Sequence, residues 1–358
     1  MLGYALYAVG TVWLLLELAG ASGLVSYKDR LGGPRKFALG FTLAPDRDVR
    51  GETQQDTAYT WGLDAEPIPY HFETDRHGLR NAEHHTEADV YLLGDSIVVG
   101  ALVPFDETVT AELASTLGLD VMNVALLSIG PQQQHELFRK LDLPVEGRLV
   151  VQFIFEGNDQ KDSHAYRTKG RTESGEKRRR SPAEKLWRRS LTRNVLELVK
   201  SDGRDYARMI EERTCDIGGQ LHTFHYARHQ VRGLDDEAEH ITAALDAFGD
   251  DVRDTGGRYV VAFVPTKLRV LSPVCDFPEA SDLPDADEHL GPLREQIIAW
   301  GAESGVPVLD LTPPLQVAAE TGRIPWFWGD THWNAEGHRV AATALAGWPP
   351  LRGAVGGD

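Results

Sequence analysis

The chain has 358 residues, 42% of them hydrophobic, and a formal net charge of −17, which is the composition of an ordinary globular protein of one large or two smaller domains. The acidic excess argues against nucleic acid as a general partner, because a phosphate-binding surface needs Lys and Arg in excess. Cys215 and Cys275 are the only cysteines, so a zinc site built from a cysteine cluster is excluded. They are either free thiols or one disulfide, and their spacing does not choose between the two.

The first segment, residues 2–25, is apolar apart from Glu17 and is long enough to cross a hydrocarbon core of about 30 Å. A cleaved signal peptide is the alternative, but no basic residue precedes the apolar run. We therefore predict an uncleaved single-pass transmembrane anchor at residues 1–26. Basic residues follow it, and the positive-inside rule would then place the rest of the protein in the cytoplasm.

The next segment, residues 27–88, is rich in Gly, Pro, Asp and His and shows little periodicity. It is predicted to be a linker or an irregular N-terminal cover over the main domain. The polar run that ends it is followed by four apolar-leaning residues at 90–93, the pattern of a buried strand.

This strand runs into the triplet Gly94-Asp95-Ser96 and then into three apolar residues. The pattern is typical of a strand that ends in a tight turn into a helix. A serine at such a turn projects above the end of a sheet, where a neighbouring base can take its proton. The first turn of the helix would aim backbone N–H groups at a negative oxygen that forms beside Ser96.

Strand and helix patterns then alternate along residues 89–348, which predicts an α/β domain with a mostly parallel sheet and helices on both faces. Asp106 is expected to cap the first long helix, and Gly118 to end it. Residues 349–358 are predicted to be a tail. The further predicted strands are 120–125, 148–159 with its following turn, 258–267 and 306–311, and the further predicted helices lie near 132–141, 235–255, 287–304 and after residue 333.

Residues 160–235 break this alternation and are predicted to form a basic helical insertion over the active face. Between residues 167 and 193, eleven Lys or Arg stand against three Glu, so this stretch opposes the acidic balance of the whole chain. Apolar residues at helical spacing follow from Leu186 onward and indicate an amphipathic helix. The basic stretch is either a solvated face or a contact with anionic lipid or an acidic glycan.

Polar residues follow several of the predicted strands and are candidates for one site. Ser96 follows the first strand, Asn123 belongs to the second, and the triplet GND at 157–159 closes the third. The tetrapeptide DTHW at 330–333 supplies a carboxylate and an imidazole before the final helix. Acyl transfer needs a nucleophile, a base, an acid that orients the base, and donors for the developing oxyanion.

In these motifs and their order the sequence resembles the SGNH hydrolases, also called GDSL-type esterases. The resemblance covers roughly residues 75–345 and rests on GDS at 94–96, the asparagine and glycine loop at 123–130, GND at 157–159 and DTHW at 330–333. It implies a three-layer, flavodoxin-like arrangement of the α/β domain. The D-x-H-W ending looks like the branch related to polysaccharide O-acetyltransferases, which favours carbohydrate acyl groups over lipids.

The resemblance implies that Ser96 is the nucleophile, His332 the general base and Asp330 the carboxylate that orients it. Asp330 and His332 are two residues apart and would face opposite ways in a straight strand, so they can pair only on a bent loop. Asp310, at the end of the last strand, is the rival acid.

The resemblance also implies an oxyanion hole. It would combine the Ser96 backbone N–H, the Asn158 side-chain amide and one backbone N–H of the 123–130 loop. In the family a glycine usually stands five residues after the asparagine, but here that place is Ser128 and the glycine is Gly130, so both are candidates. No cofactor and no metal ion are expected.

The function that we predict is a membrane-anchored serine esterase that forms an acyl-enzyme on Ser96 and acts on an O-acylated carbohydrate or another ester. One alternative is an O-acyltransferase that moves an acetyl group to a polysaccharide hydroxyl, with a multi-span membrane acyl donor protein as partner. The other alternative is a catalytically silent glycan-binding or assembly module. The side of the membrane stays open, because the family favours the extracytoplasmic side and the flanking charges favour the cytoplasm.

Overall fold

The computed structural model describes residues 2–25, 44–82, 85–169, 181–200, 208, 210–226, 237–281, 283–284 and 290–355. Its strands are β1 (Arg47–Thr53), β2 (Ile68–Thr74), β3 (Val90–Leu93), β4 (Val121–Asn123), β5 (Leu149–Phe155), β6 (Thr214–Ile217), β7 (Gln220–Thr223), β8 (Arg258–Val264) and β9 (Val308–Asp310). Its helices are α1 (Leu2–Ser22), α2 (Asp56–Trp61), α3 (Ser96–Val99), α4 (Val109–Leu117), α5 (Pro131–Leu141), α6 (Asp159–Lys169), α7 (Pro182–Arg189), α8 (Leu191–Lys200), α9 (Glu237–Asp254), α10 (Lys267–Leu271), α11 (Leu293–Ser304), α12 (Thr312–Glu320), α13 (Ala335–Gly347) and α14 (Pro349–Val355).

A parallel sheet of five strands, in the order β4-β3-β5-β8-β9, forms the centre of the described part of the chain. Successive residues of a strand face opposite sides, and in β3 Val90 and Leu92 enter one apolar core while Tyr91 and Leu93 enter the other. Both faces are therefore covered, and the predicted α/β domain with a mostly parallel sheet is confirmed. Because the chain reverses its direction across the sheet between β4 and β5, the loops after β3, β4 and β5 meet at one edge.

The helix boundaries differ from the prediction at the start of α4. Its N-cap is Thr108, whose Oγ1 accepts a hydrogen bond from Ala111 N at 3.3 Å, and the expectation that Asp106 caps this helix is wrong. Asp106 lies in a short 3₁₀ turn, Phe105–Glu107, which brings the chain to Thr108. The predicted end is confirmed, because Gly118 adopts a left-handed φ of 65° after the last turn.

The segment predicted as a linker or irregular cover contains regular structure in its described part. β1 and β2 pair in antiparallel fashion from Arg47 opposite Thr74 to Thr53 opposite Ile68, and α2 lies between them in sequence. The buried Arg80 side chain joins this segment to the region that follows α3, because it donates to the carbonyl oxygens of Gly100 and Val103. Residues 27–43 and 83–84 of the predicted linker lie outside the described residues.

The predicted insertion consists of more than basic helices. Its described residues form α6, α7 and α8 and the antiparallel pair β6–β7, which sequence periodicity did not indicate. The basic run at 177–180 lies outside the described residues. Cys215 on β6 forms a disulfide with Cys275. Of the two alternatives, free thiols or one disulfide, the structure therefore has the disulfide, which links this hairpin to the loop after α10.

The two chain ends differ from expectation as well. Among the described residues, no helix combines the length and the apolar character needed to cross a membrane, so the structure does not support the predicted anchor at residues 1–26. At the other end, the predicted tail forms α14, and Leu351 in this helix is fully buried.

Removal of the disulfide is expected to destabilise the domain. The bond closes a loop across a sequence separation of 60 residues, and loss of such a constraint costs about 2–4 kcal/mol in the free energy of unfolding. The double variant Cys215→Ser/Cys275→Ser should unfold at lower urea concentration, as followed by circular dichroism. The unaltered protein under reducing conditions is the control and should match the variant, whereas an unchanged midpoint in both would contradict the expectation.

Candidate active site

Ser96 stands at the first position of α3, directly after β3. A side chain at Gly94 would place its Cβ 2.4 Å from Val98 Cγ2, so the turn needs a glycine at that position. Asp95 caps the helix, with its Oδ1 accepting from Ile97 N at 3.0 Å. The triplet thus supplies in succession a residue that allows close packing, a helix cap and a half-buried hydroxyl at the cavity.

The structure brings Ser96, His332 and Asp330 together in one hydrogen-bonded row. His332 Nε2 lies 3.0 Å from Ser96 Oγ, and His332 Nδ1 lies 2.6 Å from Asp330 Oδ1. The Asp330 side chain is fully buried, so its contact with the imidazole is shielded from water. Nucleophile, base and orienting acid have the geometry of a Ser–His–Asp triad.

The loop that carries the acid and the base is bent, as their spacing required. Asp330 Oδ1 accepts from His332 N at 2.9 Å as well as from the ring, so the carboxylate folds the chain back on itself. Asp310, the rival acid, is engaged elsewhere, since its Oδ2 accepts from Arg294 Nε at 2.9 Å and its Oδ1 from Thr312 N at 2.9 Å.

A buried lysine binds backbone carbonyl oxygens of the loop that carries Asp330 and His332. Lys267 Nζ donates to Phe327 O and Trp328 O, both at 2.7 Å, and to Asp330 O at 3.4 Å. Burial lowers the pKa of Lys267 to about 7, against the raising effect of the nearby carboxylates. Lys267 and Asp330 are 63 residues apart in sequence, so only the fold brings this lysine to the loop.

Asp56 is a member of the site that sequence reasoning missed. It opens α2, and its side chain lines the same cavity as Ser96 and His332. Burial and the charge of Asp330 raise the pKa of Asp56 to about 6. The segment around it lacked periodicity and was interpreted as a cover, and no sequence signal placed this carboxylate beside Asp330, far along the chain.

Asn158 faces the cavity from the loop between β5 and α6. Its Nδ2 donates to Asp162 Oδ2 at 2.9 Å, and the amide, which carries a second hydrogen, also interacts with the Asp95 carboxyl. Asp159 does not enter the site. Its Oδ2 accepts from Phe155 N at 2.7 Å, so it braces the turn after β5.

The structure separates the two candidates from the 123–130 loop. Gly130 is the N-cap of α5, and its N–H donates to Gln133 Oε1 at 3.3 Å. Ser128 lines the cavity and has a φ of 59°, a left-handed conformation that costs energy in a residue with a Cβ. Asn123 of the same loop is buried and donates from Nδ2 to Val98 O at 3.1 Å, so it braces α3.

The triad opens into a cavity of about 280 Å³. Its wall combines polar side chains with apolar and aromatic ones, which suits a small acyl group next to a polar acceptor. The residues that face it are Asp56, Ser96, Ile97, Leu127, Ser128, Phe155, Asn158, Tyr226, Thr331 and His332.

The charges around His332 favour its protonated form. Burial alone would lower the pKa of His332, but the charge and hydrogen bond of Asp330, with the charges of Asp56 and Asp95, outweigh it and raise the pKa to about 9. For Asp330, burial acts to raise the pKa, and the charge and hydrogen bonds of His332 lower it below the ordinary value. The imidazole is therefore a strong base once it has lost its proton.

Two groups of described residues bring three ligand-type atoms within 4.8 Å of one another. One is the trio Asp56, Asp330 and His332, in which His332 Nδ1 already binds Asp330, so hydrogen bonds occupy the atoms that a metal ion would need. The other lies on the surface of the β1–β2 pair, where His71 binds Asp48 at 2.9 Å. We assign no metal ligand to either group.

A family model described as SGNH hydrolase-like domain, acetyltransferase AlgX, matches residues 224–350. The matched range contains Asp330 and His332 and begins after Ser96. No curated protein matches the chain.

Several solved structures are similar to the chain at low identity. A lipolytic protein of the G-D-S-L family from Desulfitobacterium hafniense DCB-2 is 12% identical, with 73% of this chain and 98% of that chain covered and a TM-score of 0.37. A catalytic mutant of Axe2, an acetylxylan esterase from Geobacillus stearothermophilus, is 11% identical, with coverages of 75% and 94% and a TM-score of 0.40. An aryl esterase from M. smegmatis is 13% identical, with coverages of 74% and 99% and a TM-score of 0.36.

The raised pKa of His332 predicts an alkaline rate profile. The base must be neutral to accept a proton, so kcat/KM for 4-nitrophenyl acetate should rise with pH and reach half its maximum near 9, well above the ordinary 6.5. Initial rates on both sides of that value test this, and a midpoint at or below 6.5 would contradict it. The stability that the raised pKa contributes is fully present below 6.5 and is lost as the pH rises through about 9.

Proposed function

We propose that the chain is an SGNH hydrolase-like enzyme, related to the acetyltransferase AlgX by the family model that matches residues 224–350, and that it acts on ester bonds, as a hydrolase or an acyltransferase, through an acyl-enzyme on Ser96. The observation that carries this proposal is the unbroken row from Ser96 Oγ through His332 to the buried Asp330, with contacts of 3.0 and 2.6 Å. A serine hydroxyl in such a row can lose its proton as it attacks.

In the first half-reaction, Ser96 Oγ attacks the ester carbonyl carbon and gives its proton to His332 Nε2. Asp330 holds Nδ1–H and thereby keeps Nε2 free to accept that proton. When the tetrahedral intermediate collapses, the bond to the leaving alcohol breaks and its oxygen takes the proton from His332. In the second half-reaction, water or a sugar hydroxyl gives a proton to His332 and attacks the acyl carbonyl. The bond between the acyl carbon and Ser96 Oγ then breaks, and Oγ takes the proton back from His332.

We assign the oxyanion hole to three donors. The Ser96 N–H and the second Asn158 amide hydrogen are two of them, since both residues face the cavity. For the third we favour the Ser128 N–H over that of Gly130, because Gly130 already donates to Gln133 and Ser128 holds a strained conformation at the cavity wall. Loss of one such donor typically raises the barrier by about 3 kcal/mol.

The substrate that we propose is an O-acylated carbohydrate, or a polysaccharide hydroxyl as the acceptor of an acetyl group. The description of the matched family as an acetyltransferase and the D-x-H-W ending support this class, and the small cavity with Tyr226 on its wall suits an acetyl group next to a sugar ring. A silent binding module is less well supported, because the triad contacts are all present. The multi-span acyl donor partner stays a prediction.

We also propose that α1 and the α7–α8 pair contact a lipid bilayer on the oxidising side of a membrane. Glu17 on α1 accepts from Leu191 N at 2.9 Å and Thr192 N at 2.7 Å, which joins α1 to the start of α8. Disulfides persist in oxidising compartments, and the bond between Cys215 and Cys275 supports that side.

The exposed apolar surface of these helices supports the lipid contact. Leu14 and Leu15 on α1 and Leu186 and Trp187 on α7 are each more than half exposed, and exposed apolar patches of this kind mark contact sites. Basic residues end α7, which complements an anionic bilayer surface.

The serine mechanism is tested by turnover of 4-nitrophenyl acetate by the full-length protein and its variants. Ser96→Ala and His332→Ala should each lose activity by about three orders of magnitude or more, because each removes a member of the triad. Asp310→Asn should keep it, since Asp310 binds Arg294. A fully active Ser96→Ala variant would reject the acyl-enzyme on this residue.

The partition between hydrolysis and transfer is measured in the same assay. Mass spectrometry should detect the acetyl-enzyme on Ser96. This intermediate should transfer its acetyl group to water, to an added oligosaccharide, or to both. Acetylated oligosaccharide in excess of free acetate would identify a transferase, and free acetate alone would identify a hydrolase.

Lipid contact is tested by co-sedimentation of the full-length protein with vesicles. We expect binding to phosphatidylglycerol-containing vesicles and weaker binding to phosphatidylcholine alone. Leu15→Asp and Trp187→Ser should each weaken binding by about tenfold through lost apolar burial. Val317→Asp on α12 is the matched control, because Val317 is about as exposed as Leu15 and Trp187. Equal effects of all three variants on vesicle binding would contradict a lipid-binding surface on α1 and α7.

A further inference from the structure

The Asp56 carboxylate binds the residue between the acid and the base of the triad. Its Oδ1 accepts from Thr331 N at 3.0 Å, and its Oδ2 accepts from Thr331 Oγ1 at 2.5 Å. Thr331 Oγ1 in turn lies 3.4 Å from His332 Nδ1. One side chain from the N-terminal segment thus holds both polar groups of the residue at which the loop bends.

The contact is reciprocal, because the backbone around Asp56 binds the same loop. Asp56 N donates to Asp330 Oδ2 at 2.6 Å, which is the oxygen that His332 does not use. Gln55 Oε1 accepts from Gly329 N at 2.8 Å, and Gly329 O accepts from Ala58 N at 2.8 Å. The loop is therefore clamped beside the triad acid by residues from the N-terminal segment.

We propose that Asp56 is a positioning residue of the triad, which fixes the bend at Thr331 and places a second negative charge beside the His332 imidazole. The proposal rests on the proposed function, because it gives Asp56 a role in the chemistry of Ser96 and His332. Asp56 does not touch the substrate in this role. It acts through the acid and the base.

The geometry determines what each part of Asp56 contributes. Without the carboxylate, Thr331 N and Oγ1 lose the acceptor that Asp56 gives them, and the bend between Asp330 and His332, which these two side chains need at their spacing, is held less firmly. In the Asp56→Asn variant, the neutral amide oxygen can still accept from Thr331 N, but the side chain carries no charge. The bend and the charge are therefore separable by substitution, since Asp56→Ala removes both and Asp56→Asn removes mainly the charge.

Several charged or titratable groups lie around Asp56 and His332 and influence the protonation states of both. Asp330 opposes the ionisation of Asp56 and His332 favours it. Asp95 adds to the negative potential at His332, the ammonium of Lys267 interacts with both Asp56 and Asp330, and the hydroxyl of Tyr226 stays protonated. Since burial and Asp330 raise the pKa of Asp56 to about 6, its charge is present above that pH and lost below it.

The test combines a direct measurement of the His332 imidazole with kinetics. In the full-length protein, NMR titration of the His332 ring, assigned with His332→Gln, should give a pKa lower by about one pH unit in Asp56→Asn than in the parent, because an ionised carboxylate nearby has been removed. The acid limb of kcat/KM should move to lower pH by the same amount. Asp64→Asn is the matched control, since Asp64 is exposed in the same segment, and it should leave both quantities unchanged.

The bend is tested separately by kcat and KM. Asp56→Ala should lower kcat by about tenfold to a hundredfold with KM nearly unchanged, since misplacing catalytic groups affects the transition state. Thr331→Val keeps the charge of Asp56 and removes the hydroxyl contact, so it should lower kcat while leaving the His332 pKa nearly as in the parent. It also keeps the test available if Asp56→Ala fails to fold.

The outcomes separate this proposal from the proposed function. An unchanged His332 pKa in folded Asp56→Asn, or equal shifts in Asp56→Asn and Asp64→Asn, would overturn the role of Asp56 whether or not the parent is active. A parent without turnover and without an acyl-enzyme on Ser96, but with the shifted imidazole in Asp56→Asn, would overturn the proposed function and retain the charge effect of Asp56 on His332.

Discussion

The buried charge of Asp330 is the constraint on which the rest of the site depends. A carboxylate with no exposed surface is costly unless donors replace the water that it has lost. Three donors do so, namely His332 Nδ1, His332 N and Asp56 N. Two of them bend the loop and orient the base, and the third comes from α2. Solvating one carboxylate therefore requires the loop, the base and the N-terminal segment to be in place together.

This requirement explains why the N-terminal segment packs where it does. The antiparallel pair β1–β2 and α2 hold Asp56 against the loop, and Arg80 ties the end of the segment to the chain after α3. The proposed site is accordingly wider than the range that the family model matches, which is 224–350. Ser96 and Asp56 both lie before that range.

The sheet explains how residues distant in sequence reach one edge. Ser96, the 123–130 loop and Asn158 each follow one of three neighbouring parallel strands, in the order β4-β3-β5, so their positions at the carboxyl ends of the strands bring them together. This much was predictable, because buried strands and glycine-bearing turns leave local patterns. The choice between Ser128 and Gly130 was not, since it depends on which N–H the start of α5 uses for its own cap.

The sequence by itself determined the parallel α/β domain, the turn that exposes Ser96, and the membership of Asp330 and His332 in one polar motif. The first two follow from periodicity and from the need for a glycine at a tight turn, and the third from the closeness of the two residues in the chain, all of which are properties of a few adjacent residues. Only the tertiary structure decided the pairing of Cys215 with Cys275, the engagement of Asp310 by Arg294, and the entry of Asp56 into the site. Each of these is a contact between side chains whose meeting depends on how the whole chain packs, and no local pattern encodes it.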